Sequence, residues 1–408
     1  MTTTAPLAAP LPLISAERWI AAFRRHRGWL WRELAAMWLL TRTLLVLIAL
    51  GVTFFAKNPN YPLREATARG WHFTPIYLLD IWGRWDSGWY LDIIDNGYYA
   101  RGDIRTVQSN LGFFPVYPLT VRLLVNVLPA VMRTPGMTLL LGVLVSNVFL
   151  LGGLALLRQW VAELTGDEGT ARRTVLYLLL FPTGFFFSAF YTESTFLFFA
   201  AAALLAAQRR AWFWAAVAGA LLTLSRPPGI LIGLPLAWQY AQAAGWNIRR
   251  LRWNAFWFLL LPAAFLAFGY YEYRLTGDFL AALHHQQAHQ AAAGFYWPWQ
   301  TLLHPVDGVP YMLPIDWLLT VGLGAAALWA LVKLPSPGLG VWALLMIAAP
   351  LFAGHLVSTA RYAAVVLPAF VALAQWGRRP LLDRAMTILM PMAQALLFAW
   401  WCLFYWVA

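Results

Sequence analysis

A single cysteine in 408 residues excludes an intrachain disulfide framework, and Cys402 lies inside the last apolar stretch, where no thiol chemistry is implied. Charge is equally scarce. Only 11% of the residues are charged and 61% are hydrophobic, against about 25% and 45–50% in soluble globular chains, so too little polar surface exists to coat a water-soluble particle of this size. Lysine is confined to Lys57 and Lys333 among 29 basic residues, a bias that goes with GC-rich bacterial coding. No fixed-period repeat, low-complexity tract, phosphate-cradling loop, nucleophile elbow or dinucleotide fingerprint is present. The stretch to Ala16 carries prolines and alanines where a signal peptide has a positive n-region, and it reads as a short tail.

What is there is apolar sequence. Mean hydropathy is +0.61 with 24 Trp, and windows of about 16–22 residues, enough to cross a bilayer, run near 34–56, 137–157, 174–190, 192–208, 211–225, 228–243, 254–271, 313–332, 339–354, 361–376 and 385–406. The reading is an all-α polytopic membrane protein with about eleven spans, forming one membrane domain over 1–408. With the N-terminus in the cytoplasm, Arg18, Arg24, Arg25, Arg27, Arg32, Arg158, Arg172, Arg173, Arg209, Arg210, Arg249, Arg250, Arg252, Lys333, Arg378, Arg379 and Arg384 all fall inside, and net of six acids on that side they carry nearly the whole formal charge of +12. The basic residues form no single stripe, which excludes nucleic acid as a partner. Residues 112–131 are apolar enough for a twelfth span, but three prolines and Arg122 fit an interfacial or re-entrant segment. A twelfth span would also export the arginine-bearing connections that follow. Two long connections, 57–136 and 272–312, then face the non-cytoplasmic side. The first holds amphipathic segments between Tyr77 and Tyr99, and the second resembles it through Trp297 and Trp299.

Ionisable groups at the rim of apolar spans are costly and therefore functional candidates. RWDSGWYLDIIDNGYY (84–99) sets Asp86, Asp92 and Asp95 among aromatics. On a helix Asp92 and Asp95 share a face, and Asp86 lies about 120° away at the helix start. Asp86 is the candidate base, with helix capping near Gly88 or Trp89 as the alternative; Asp95 before Asn96-Gly97 suits a turn. Tyr117 in FFPVYP offers a hydroxyl. In FPTGFFFSAFYTES (181–194), Tyr191 and Glu193 end an apolar run, and Glu193 either contacts a polar substrate or favours the positive first turn of a helix capped by Thr192. Arg226 in LSRPPG and Arg361 in HLVSTARY fall on the side where casual arginines are disfavoured; they suit a phosphate, with snorkelling to headgroups as the alternative. His355 adds a donor to that anion or ends its span. His285 and His289 in HHQQAHQ have a chelating spacing but no Glu in the zinc-hydrolase position and no cysteine nearby, so no metal site is assigned. A divalent ion stays open only around Asp86 to Asp95.

Taken together and in order, RWDSGWYLDIIDNGYY, FFPVYPLTVRLL, LVSN (144–147), FPTGFFFSAFYTESTFLF, LSRPPG and STARYAAVVLPAF resemble the PIG-V family of membrane mannosyltransferases, in the class C (GT-C) glycosyltransferases. The resemblance implies a GT-C-type helix bundle in the bacterial cell membrane with its site on the external face. It also implies a polyprenyl-phosphate sugar donor, a lipid or glycan acceptor and no cofactor. Mapped onto this chain, the family's WD pair is Trp85 and Asp86, with Asp86 as catalytic carboxylate; Y-T-E-S is Tyr191 to Ser194, R-P is Arg226 and Pro227, and R-Y is Arg361 and Tyr362. Asp92, Tyr117 and His355 complete the expected substrate-binding set. The chain departs from eukaryotic members where they often place a His after WD, here Tyr90 to Asp92, and bacteria generally make no GPI anchor, so no acceptor is inherited. A lipid-linked sugar flippase is the main alternative; its usual signature of repeated halves with midplane charges is missing here.

Overall fold

The computed structural model describes residues 30–55, 72–100, 103, 107, 109–288, 295–305 and 309–407. Arg18, Arg24, Arg25, Arg27 and His289 lie outside the described residues. Among those described, α-helices alternate with short 3-10 turns and there is no strand, as expected of an all-α membrane protein. Five helical stretches are long and apolar enough to cross a bilayer: Arg32–Phe54, Pro135–Thr165, Trp253–Thr276, Leu313–Lys333 and Pro380–Cys402.

The expected windows meet helices, but several are interrupted. Window 174–190 holds the helix Glu168–Leu180 and then a 3-10 turn, Gly184–Phe187, because Pro182 follows and cannot continue the ladder. Window 361–376 is two pieces, Thr359–Ala363 and Leu367–Trp376, with Pro368 in the first turn of the second. Pro227 and Pro228 likewise open a 3-10 turn, Pro227–Ile232, before the helix Gly233–Ala243. Several of the expected windows are thus met by helices broken at proline and not by one continuous helix each. Residues 112–131 contain the helix Val116–Val127, whose twelve residues run about 18 Å.

Local signals set the longest helix. Thr134 caps it by accepting from the Met137 amide (3.2 Å) with Pro135 at the first position. Gly166 ends it at φ 66°, and Asp167 caps the next helix through the Gly169 amide (2.9 Å). Helix packing relies on small residues, as is common where lipid is the solvent. At Gly340 a Cβ would stand 2.1 Å from the Leu331 Cα of the preceding helix. Gly340→Ala should cost about 1–3 kcal/mol by overpacking, read as earlier thermal unfolding in detergent; unchanged unfolding would show that the two helices separate freely.

Candidate functional site

The site is assembled from the ends of interrupted helices. The backbone from Phe181 to Thr192 is buried throughout yet is mostly not helical, so its carbonyls must find partners within the protein. They find them on distant elements. Gln394 Nε2 donates to Leu179 O (3.1 Å) and Phe181 O (2.7 Å). Arg42 Nη1 donates to Gly184 O (3.2 Å). Ser194 bonds to Phe187 O, Ser146 to Ala189 O (2.7 Å) and Ser87 to Phe190 O (3.2 Å). This segment ends by delivering Tyr191 and Glu193.

Around it four charges from four parts of the chain meet. Arg361 Nη1 lies 2.7 Å from Asp86 Oδ2 and its Nε 3.5 Å from Glu193 Oε1; Arg226 Nη1 lies 2.7 Å from the same Glu193 oxygen. The result is an alternating line, Asp86, Arg361, Glu193, Arg226, with no net charge. Burial decides their differences. The Glu193 side chain is 1% exposed, Arg361 7%, Arg226 11% and Asp86 19%, so the candidate base is the member nearest the surface. Glu193 Oε2 is buried and lacks a hydrogen-bond partner. Aromatic faces complete the setting: the Tyr362 ring lies 4.9 Å from the Arg226 guanidinium and 5.1 Å from that of Arg361, and Tyr191 lies 5.2 Å from Arg361.

Each charge is held by its own local device. Asp86 precedes the helix Ser87–Asn96 but makes no side-chain cap; its carboxylate turns to Arg361 instead. Tyr191 fixes that turn, donating to Arg84 O (2.9 Å) and accepting from the Asp86 amide (3.1 Å). Trp85 has φ 52° and Ser358 φ 65°, so both the Asp86 loop and the turn before Arg361 hold a non-glycine residue in the left-handed region; such strain persists where surroundings enforce it. Trp85 packs its ring 5.0 Å from Trp406. The Arg226 turn needs Gly229, where a Cβ would stand 2.1 Å from Leu222 O. Asp316 Oδ1 accepts from the Ala360 amide (2.9 Å), pinning the turn that carries Arg361. Thr192 likewise makes no side-chain cap, and Glu193 is committed to its arginines.

Other expected site residues sit elsewhere. Tyr117 is fully buried, its hydroxyl donating to Gly142 O (3.0 Å) and lying 2.9 Å from the Ser146 hydroxyl, so it braces the helix Pro135–Thr165 and does not join the ion cluster. Asp92 accepts from Tyr99, from Asn110 Nδ2 (3.1 Å) and from Asn96 Nδ2 (2.9 Å), tying down the chain after its helix. Burial and the neighbouring Asp92 carboxylate push the Asp95 carboxyl up, against the pull of Arg122. His355 is buried in the turn after the helix Pro337–Phe352. His285 meets the Ser109 amide through Nε2 (2.9 Å). Among the described residues no three of His, Cys, Asp and Glu gather as a metal site would require.

Several supporting residues escape a reading by motif. Arg84 is fully buried, paired with Asp80 (2.8 Å) and stacked 4.1 Å from the Phe404 ring; burial lowers its pKa, with Asp80 opposing. Arg42, Asp316 and Gln394 belong to the same group. A charge inside an apolar run was the available signal for Arg42 and Asp316. Tyr191→Phe should keep the fold and lower turnover about tenfold, because the loop loses both hydrogen bonds of that hydroxyl, to Arg84 O and from the Asp86 amide, each worth about 0.5–1.5 kcal/mol; an unchanged rate would show that Asp86 is positioned without it.

Residues 76–274 match the family described as Mannosyltransferase (PIG-V). That segment includes Asp86, Glu193 and Arg226, while Arg361 lies beyond it. Comparison with curated proteins gives no match.

Proposed function

We propose that this chain, a member of the PIG-V mannosyltransferase family, moves a mannose-type hexose from a polyprenyl-phosphate carrier to a lipid or glycan acceptor on the non-cytoplasmic side of the membrane. The observation that carries the reading is the line Asp86, Arg361, Glu193, Arg226, which joins two arginines suited to phosphate with two carboxylates. Asp86 takes the proton of an acceptor hydroxyl as that oxygen attacks the anomeric carbon. Attack comes from the face opposite the departing phosphate, so the configuration inverts. The C–O bond to the carrier breaks and its electrons leave on the lipid phosphate, whose charge Arg361 and Arg226 meet. Glu193 Oε2, buried and lacking a partner, is the acceptor for a sugar hydroxyl. Because Arg361 holds Asp86 in the cluster, an arriving phosphate competes for that arginine and releases the base only once donor is bound.

No metal enters this scheme. The test is transfer of radiolabelled mannose from polyprenyl-phosphate mannose by purified protein, with membrane lipid extract as acceptor. Labelled product, undiminished by EDTA, is the expected result. Product that EDTA abolishes would move the scheme to a metal held near the acidic residues. Tight carrier binding with no transfer of any sugar tested would favour a flippase.

A further inference from the structure

Away from the ion cluster, one end of the candidate span Trp253–Thr276 carries an unusual run. Arg249, Arg250 and Arg252 are all exposed, and so are Trp246, Ile248 and Trp253 beside them. No described ion pair involves these arginines, nor do they belong to the charge cluster of the site. Their backbone is nonetheless built. Asn247 caps the 3-10 turn Ile248–Arg250 through the Arg249 amide (3.0 Å), and the Tyr240 hydroxyl accepts from the Arg252 amide (3.2 Å) while donating to Asn254 Oδ1 (2.6 Å). Directly beyond lies a shallow groove of about 440 Å³, lined by Trp253, Phe256, Trp257, Leu259, Leu260 and Ala263 with almost no polar surface.

Exposed apolar residues on a spanning helix alone report only contact with lipid tails. What adds information is the adjacency of three unpaired guanidinium groups to a concave apolar surface, with tryptophans at the boundary. Guanidinium matches phosphate oxygens, tryptophan favours the headgroup level, and the groove suits a hydrocarbon chain. We propose that this end of the molecule is a binding site for an anionic phospholipid, with the headgroup phosphate on Arg249, Arg250 and Arg252 and an acyl chain along Trp253, Phe256 and Trp257. The site is independent of the transferase reading, since none of its residues belongs to the ion cluster.

The experiment reconstitutes the full chain in nanodiscs of equal phosphatidylglycerol and phosphatidylcholine, extracts it into detergent, and counts retained lipid by mass spectrometry. Wild type should retain phosphatidylglycerol about tenfold over phosphatidylcholine, since juxtamembrane arginines each contribute appreciably to anionic lipid attraction. The Arg249→Gln, Arg250→Gln, Arg252→Gln triple variant should lose that preference. Trp257→Ala should retain less phosphatidylglycerol while keeping the preference. Equal retention of the two lipids by wild type would overturn the proposal without recourse to any variant. A preference that survives the triple substitution would do the same, as would cross-linking that places a second copy of the chain over the groove. Mannose transfer by the same preparations separates this failure from failure of the transferase reading.

Discussion

Asp86→Asn should abolish mannose transfer and leave the protein folded. The substitution keeps shape, and the amide oxygen still accepts from Arg361 at the position where Asp86 Oδ2 now stands 2.7 Å away. It removes the group proposed to take the proton, a loss of about 10²–10⁴-fold for a positioned base. It also removes the negative charge that balances Arg361, so donor binding should hold or tighten while kcat collapses. The readout is kcat and donor KM together with thermal unfolding in detergent. Turnover within severalfold of wild type would remove Asp86 from the base position.

Arg361→Lys is the second large effect, and it depends on shape more than charge. The guanidinium meets Asp86 at 2.7 Å, Glu193 at 3.5 Å and the Tyr362 hydroxyl at 3.4 Å at once, while lying over aromatic rings. An ammonium is a compact point charge and reproduces neither the fork nor the stacking. Turnover should fall about 10²–10³-fold, the scale of losing one preorganised partner of a developing negative charge, with a rise in donor KM. Arg361→Ala is less informative, because it strands the Asp86 carboxylate, leaves buried Glu193 with Arg226 alone, and should destabilise by about 3–5 kcal/mol. Wild-type kcat in the lysine variant would mean that the arginine serves folding alone.

The four charges were legible in the sequence because apolar chain makes each ionisable residue conspicuous, and all of them lie at interrupted helix ends. What the sequence could not convey was pairing. Arg42 and Asp316 stand out by the same rule, yet their partners, Gly184 O and the Ala360 amide, are backbone groups 142 and 44 residues away. Tyr117 shows the converse. A hydroxyl near an expected site says nothing about its direction, and this one points into the core at Gly142 and Ser146. Interruptions were hidden for a related reason, since apolarity alone does not tell one helix from two pieces such as Thr359–Ala363 and Leu367–Trp376.

The buried stretch from Phe181 to Thr192 has a consequence for the order in which the protein can be made. Its carbonyls wait for Arg42 from the first described helix and for Gln394 from the last. A ribosome-bound chain that has threaded its first half into the bilayer therefore holds Arg42 with its acceptor not yet synthesised, and later holds Phe181 O with its donor still to come. The buried segment can therefore reach its final arrangement only after the helix Pro380–Cys402 has docked, since Gln394 is the donor to Phe181 O.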